Sequence, residues 1–242
     1  MSDERILAKT IQDLVIANRA MAAEDVIDDF GHVSARHPLN PERFLLARSR
    51  SPLLVTADDI IEFTLDGDPI NQNGRDVYKE RFIHGAIYAA RPDVNCAIHH
   101  HAKAVLPFTV CDTPLRPLFH MAAVIGAEVP TWDSQDEFGD TNMLVDSLPM
   151  GQSLARVLGD GTCALLRAHG AVCAAHNMAA ACLVSVYLKE NAELVLRTLP
   201  LSPEPRYLTP GEVEMTRSTL FSQVPLDRAW TYRKAKAGFA GI

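Results

Sequence analysis

Ile6, Leu7, Thr10, Ile11, Leu14, Val15, Asn18 and Met21 recur at spacings of three and four, which predicts an opening amphipathic helix with one apolar stripe. After an Asp-rich turn the period drops to two. Val33 and Ala35 alternate with Ser34 and Arg36 as in a strand, and Gly31 before them permits a close backbone approach or a positive φ. Phe44 to Leu46 reads as the partner strand. Thr56 and Asp59 form a short cap, and Ile60 to Leu65, Asp66-Gly67 and Asp68 to Ile70 read as a hairpin. Phe82, Ile83, Ala86, Ile87 and Ala90 return to helical spacing until Arg91-Pro92-Asp93 stops the helix. Val94 to His101 is short, apolar and strand-like.

Farther on, Ala102 to Val110 reads as a short helix and Val124 to Val129 as a strand, while the acidic stretch Asp133 to Asp140 stays out of the core. Leu154 to Leu158 fits a helix end closed by Gly159. Ala164 to Arg167 and Ala171 to Ala175 read as strands joined by the tight turn Ala168-His169-Gly170. Asn177 caps a long helix to about Arg197, and Thr209-Pro210-Gly211-Glu212 is a capping box that starts another to about Phe221. The tail, Leu226 to Ile242, carries Trp230, Tyr232 and Phe239, aromatics suited to packing on a neighbouring subunit.

No linker or repeat divides the 242 residues, so one domain spanning 1–242 is expected, with 200–242 as a C-terminal helical extension. A net charge of -7 without any Lys/Arg run argues against nucleic acid. The charged opening MSDERILAKT and the lack of any apolar run near the roughly 18 residues a bilayer span requires imply no membrane partner and a cytoplasmic protein. The five cysteines hold no C-x-x-C pair and read as reduced packing thiols.

The chemistry concentrates between Glu80 and His101. Glu80 and His84 fall one helical turn apart on a shared face. Strand alternation points His99 and His101 one way and His100 the other, the pair about 7 Å apart at the backbone. Two such imidazoles can converge on a divalent cation if a third ligand arrives, the reading favoured over a polar strand end. His169, at its glycine-assisted turn, is the imidazole placed to join them. Arg48 and Arg50 in the loop Ala47 to Pro52 suit bidentate recognition of a carboxylate or phosphate, or form a solvated basic turn. His120, alone among apolar residues, reads as a core histidine or as a proton donor to a nearby site.

Glycine then V-S near residue 33, E-x-x-x-H, RPDV followed by H-x-H, and a late H-G turn together resemble the class II aldolase/adducin family over residues 6 to about 200. The resemblance implies a three-layer α/β/α sandwich around a largely antiparallel sheet, and a homotetramer with sites between subunits. It implies one divalent ion per subunit (Zn, Mn, Fe or Co) on His99, His101 and His169, with Glu80 as acid/base and sometimes a ligand. The sugar-phosphate aldolases of the family cradle phosphate in small polar loops. Here those positions read Gly31-His32-Val33-Ser34, Arg48-Ser49-Arg50-Ser51 and Val77-Tyr78-Lys79, bulkier and more positive. That pattern is similar to the decarboxylase branch, and implies a non-oxidative decarboxylase of an ortho-hydroxy aromatic or pyridine dicarboxylate such as 3,4-dihydroxyphthalate. Glu80 or His120 would then move the proton, Arg48 and Arg50 would clamp a second carboxylate, and His32 would hydrogen-bond a ring substituent. The rival expectation is a retro-aldol lyase using the same metal on a small hydroxy-carbonyl acid or sugar phosphate.

Overall fold

A computed structural model describes residues 2–241; Met1 and Ile242, the outer ends of the expected domain and tail, lie outside the described residues. The chain runs α1 (Asp3–Ala23), β1 (His32–Arg36), β2 (Arg43–Ala47), β3 (Ile60–Thr64), α2 (Arg81–Ala90), β4 (Cys96–His100), β5 (Thr131–Trp132), α3 (Ser134–Phe138), α4 (Leu148–Leu158), β6 (Cys163–Leu166), β7 (Gly170–Ala175), α5 (Met178–Thr198), α6 (Pro210–Leu220) and α7 (Gln223–Lys236). The strands form one sheet in the order β3-β2-β1-β4-β7-β6-β5. Every pairing is antiparallel except β5 with β6.

Both faces of this sheet are covered, as a three-layer α/β/α sandwich requires, and strand alternation sorts the residues between two cores. Cys96 and Ile98 of β4 and Ala171 and Cys173 of β7 join α1 and α5 on one side. Ala97, Val172 and Ala174 join Ile83, Ile87 and Leu154 of α2 and α4 on the other. His99 shares the parity of Ala97. The alternation that fills the second core therefore also aims the first candidate ligand toward α2.

Several sequence expectations give way to local chemistry. Residues 102–110 form only a short 3-10 turn, Leu106–Thr109, with Pro107 early in it. The expected strand at Val124 to Val129 is instead the end of a 3-10 turn, His120–Ile125, closed by Gly126 at φ 92°. Extended pairing resumes at Thr131. The Asp66-Gly67 turn forms, but its return arm shrinks to a single bridge between Phe63 and Pro69, flanked by bonds from the Thr64 N–H to the Asp68 carbonyl at 2.9 Å and from the Ile70 N–H to the Glu62 carbonyl at 2.8 Å. His120 is exposed rather than a core residue. Cys111 is exposed too, whereas the other four cysteines are buried.

Two of the three tail aromatics fold back on their own chain, while Tyr232 is exposed. Trp230 packs on the α1/α5 core, and Arg19 of α1 lies over the Phe239 ring. Glu24, at the end of α1, anchors α7 through Arg233 at 2.5 Å and Lys236 at 2.6 Å. Glu24 and Arg233 are 6% and 7% exposed, so removing one partner strands a buried charge. Glu24→Ala should therefore lower unfolding free energy by about 3–5 kcal/mol, measured by urea denaturation. A loss under about 1 kcal/mol would mean that water replaces the pair.

Candidate active site

Glu80, expected on the helix, sits at the N-cap of α2, one residue before the helix begins at Arg81, with φ -83° and ψ 17° and no side-chain cap to its own helix. Its Oε1 instead accepts the Val145 N–H at 3.1 Å, which leaves Oε2 turned toward the sheet. There Oε2 lies 3.6 Å from His99 Nε2 and 3.9 Å from His32 Nε2, while Oε1 lies 3.7 Å from His169 Nε2. The shared face predicted for Glu80 and His84 is real, since His84 Nε2 meets His32 Nδ1 at 2.7 Å.

His99 and His101 do converge, their Nε2 atoms 3.0 Å apart. His100 points into the opposite core, where its Nε2 lies 3.7 Å from Cys173 Sγ. His99 Nδ1 donates to the Ala171 carbonyl at 3.1 Å, and His101 Nδ1 donates to Asp28 Oδ1 at 3.1 Å. With protons held on Nδ1, both Nε2 lone pairs face inward, the arrangement that outer hydrogen bonds give metal-binding histidines. His169 reaches the same place from the β6–β7 turn, its ring centroid 4.9 Å from that of His99 and 5.1 Å from that of His101. Ala168 makes this possible by adopting φ 53°, a left-handed conformation costly for a residue with a Cβ. Gly170 does something else: a Cβ there would stand 2.3 Å from the His100 carbonyl oxygen. Gly31 plays the close-approach part expected of it, since its Cβ would stand 2.8 Å from the His99 carbonyl oxygen.

Ligand atoms of Glu80, His99, His101 and His169 all lie within 4.8 Å of one another. Three inward nitrogen donors and one carboxylate, each oriented by a second bond or by burial, fit a divalent transition metal. Burial raises the Glu80 carboxyl to about 7, partly opposed by the Val145 hydrogen bond. Burial and the neighbouring His101 lower His169 to about 4, and burial alone takes His84 to about 3. These imidazoles are held neutral, the state that can donate a lone pair.

A cavity of about 710 Å³ opens beside the cluster, lined by His32, Glu80, His101 and His169 together with Ser49, Arg50, Tyr78 and Lys79. The two loop arginines part company here. Arg48 Nε is taken by Asp59 Oδ1 at 2.6 Å and does not line the cavity, whereas Arg50 does, holding the same oxygen more loosely at 3.4 Å. Burial alone would raise the Asp59 carboxyl, yet the Arg48 bond and two from Thr56 outweigh it and hold it at about 2. His120 lies outside both cavity and cluster. Tyr78, legible only as part of the bulkier Val77-Tyr78-Lys79 stretch, packs its ring 4.6 Å from that of His32, and Tyr88, which carried no legible signal, joins His84 through Ser34.

The sequence and the fold have known counterparts. Decarboxylase tropJ of Talaromyces stipitatus is 30% identical over 190 residues, covering 73% of this chain and 71% of that protein. The 3,4-dihydroxyphthalate decarboxylase of Arthrobacter keyseri is 26% identical over 199 residues, 76% of each. Among solved structures, L-fuculose 1-phosphate aldolase from Glaciozyma antarctica PI12 superposes with a TM-score of 0.80 at 20% identity, covering 98% of this chain and 93% of that one. The family model for the class II aldolase and adducin N-terminal domain matches residues 12–196. With most of its length in that match and decarboxylases among its relatives, the chain belongs to the class II aldolase/adducin family, in the branch that holds its decarboxylases.

Proposed function

We propose that this protein is a divalent-metal-dependent, non-oxidative decarboxylase of an ortho-hydroxy aromatic or pyridine dicarboxylate, a compound such as 3,4-dihydroxyphthalate. The observation that carries the reading is the wall of the cavity facing the histidine cluster. Where a phosphate cradle needs small residues and free backbone amides, this wall presents Arg50, Tyr78 and Lys79. A planar ring with carboxylates suits such a wall.

A divalent ion held by His99, His101 and His169 would supply Lewis acidity at the ring hydroxyl, favouring its ionised form. Arg50 and Lys79 orient the substrate by its retained carboxylate, in place of the Arg48 and Arg50 pair, because Arg48 is committed to Asp59. Glu80 holds the proton on Oε2, the oxygen left free by the Val145 bond. It delivers that proton to the ring carbon bearing the carboxylate to be lost, leaving a keto tautomer of the ring. The C–C bonding pair then returns to the ring as CO2 departs, the neighbouring ring oxygen recovers its charge, and solvent reprotonates Glu80. The net change is one proton consumed and one CO2 released. A subunit assembly with small-molecule substrate as its only other partner completes the proposal, with the ion left open among Zn, Mn, Fe and Co.

Metal analysis of the purified chain, followed by a CO2-release screen of hydroxy-aromatic dicarboxylates, tests it. About one ion per chain and CO2 from at least one ortho-hydroxy acid are expected. Cleavage of a sugar phosphate with no CO2 from any such acid would sink it.

A further inference from the structure

His32 is 1% exposed and its Nε2 has no hydrogen-bond partner among the described residues. The ring lines the cavity, and the nearest carboxylate oxygen, Glu80 Oε2, is out of hydrogen-bond reach at 3.9 Å. A polar atom this buried is left unpaired only at a cost, which a bound group facing it would remove.

Behind His32 runs a buried chain of hydrogen bonds that no proposed step uses. His32 Nδ1 meets His84 Nε2 at 2.7 Å, His84 Nδ1 meets Ser34 Oγ at 2.6 Å, and Ser34 Oγ meets the Tyr88 hydroxyl at 2.7 Å. Each neutral imidazole has one donor and one acceptor nitrogen, so the direction of one link fixes the others. The buried Tyr88 hydroxyl has no other acceptor for its proton among the described residues, so it donates to Ser34. The Ser34 hydroxyl then has two acceptors in range, His84 Nδ1 at 2.6 Å and the Ala97 carbonyl at 3.3 Å. The shorter is the length of a bond donated by a hydroxyl, the longer a weak contact. Ser34 therefore donates to His84 Nδ1 while accepting from Tyr88. His84 must then carry its proton on Nε2 and give it to His32 Nδ1, and His32 must carry its own on Nε2.

We propose that Tyr88, Ser34 and His84 lock His32 as a one-way hydrogen-bond donor into the cavity, and that its Nε2–H recognises the ring oxygen next to the departing carboxylate. Tyr88, Ser34 and His84 are positioning residues; His32 is the group that touches substrate. Its place beside His99, ring centroids 5.1 Å apart, puts the donor at the oxygen nearest the histidine cluster. That oxygen gains negative charge as CO2 leaves, so the bond strengthens in the transition state and raises kcat more than it lowers KM. The choice of oxygen rests on the decarboxylase reading; the locked tautomer does not.

Histidine 15N NMR on the full chain, metal-free and zinc-loaded, reads the tautomers directly. His32 and His84 should both be Nε2-protonated in both forms. Tyr88→Phe, which removes only the terminal hydroxyl, should give mixed tautomers at His32. In the same variant kcat should fall by at least about tenfold with KM within about twofold, a part of the roughly 10²–10³ that a whole donor of this type supplies. Should Tyr88→Phe not fold, Ser34→Ala carries the comparison. An Nδ1-protonated His32 in the wild type, or a variant with unchanged tautomers and kcat, would overturn the lock. A locked Nε2 tautomer in a protein that releases no CO2 would instead reject the decarboxylase assignment and, with it, the choice of ring oxygen.

Discussion

His99→Ala should strip the metal from the protein and lower CO2 release by at least about 10³-fold, equivalent to on the order of 4 kcal/mol of barrier. His99 is fully buried at the centre of the cluster, near His101, His169 and Glu80 at once. Its ring cannot swing away, because Nδ1 is tied to the Ala171 carbonyl on the neighbouring strand. Alanine there leaves two imidazoles on separate elements, His101 after β4 and His169 in the β6–β7 turn, with nothing to fill the gap. Asp28→Asn is the graded comparison. It removes the charge behind the outer bond to His101 Nδ1 while leaving an amide oxygen for the Phe30 and Gly31 N–H groups, so metal affinity should fall by about 10–100-fold while a loaded protein keeps turning over. Metal content per chain after dialysis and CO2 release with excess metal separate the two cases. If His99→Ala retains one ion through dialysis, the four-residue cluster is not the centre of the chemistry.

How much of this was legible follows from how local each signal is. His99 and His101 could be read because a strand alternates strictly, and Glu80 with His84 because four residues make one helical turn. His169 was marked by the following glycine, although the strained residue proves to be Ala168 and Gly170 serves close approach. The core pattern also worked wherever a segment is long or capped, as with Asn177, whose side chain accepts the Ala180 N–H at 2.8 Å. What could not be read depends on partners distant in sequence. Nothing near Arg48 announces that Asp59 will claim it, so two arginines of equal promise end in different places. Ser34, His84 and Tyr88 come together only once β1 lies beneath α2. His120 misled for a related reason: apolar neighbours Phe119 and Met121 suggested burial, but a 3-10 turn begins at His120 and leaves it at the surface.

Glu80→Gln should lower kcat by about 10²–10⁴-fold while leaving the metal in place, a split that no ligand substitution would give. The amide keeps the size of the carboxyl and can still accept the Val145 N–H through its oxygen, so the geometry around Oε1 survives. What it loses is an acidic proton at the position of Oε2, next to the histidine cluster and on the cavity wall. Burial already makes the charged form of this carboxyl expensive, so a neutral amide should cost little stability, and the thermal midpoint should stay within a few degrees. Three measurements on one variant then assign the residue. Intact metal with lost turnover identifies Glu80 as the proton carrier. Metal lost together with turnover makes it a fourth ligand instead, and turnover within tenfold of wild type passes the proton to another group on the cavity wall. Reaction in deuterated water adds a check on the step itself: the wild type should place one deuterium on the ring carbon that lost its carboxylate, and a product without it would rule out protonation at that carbon.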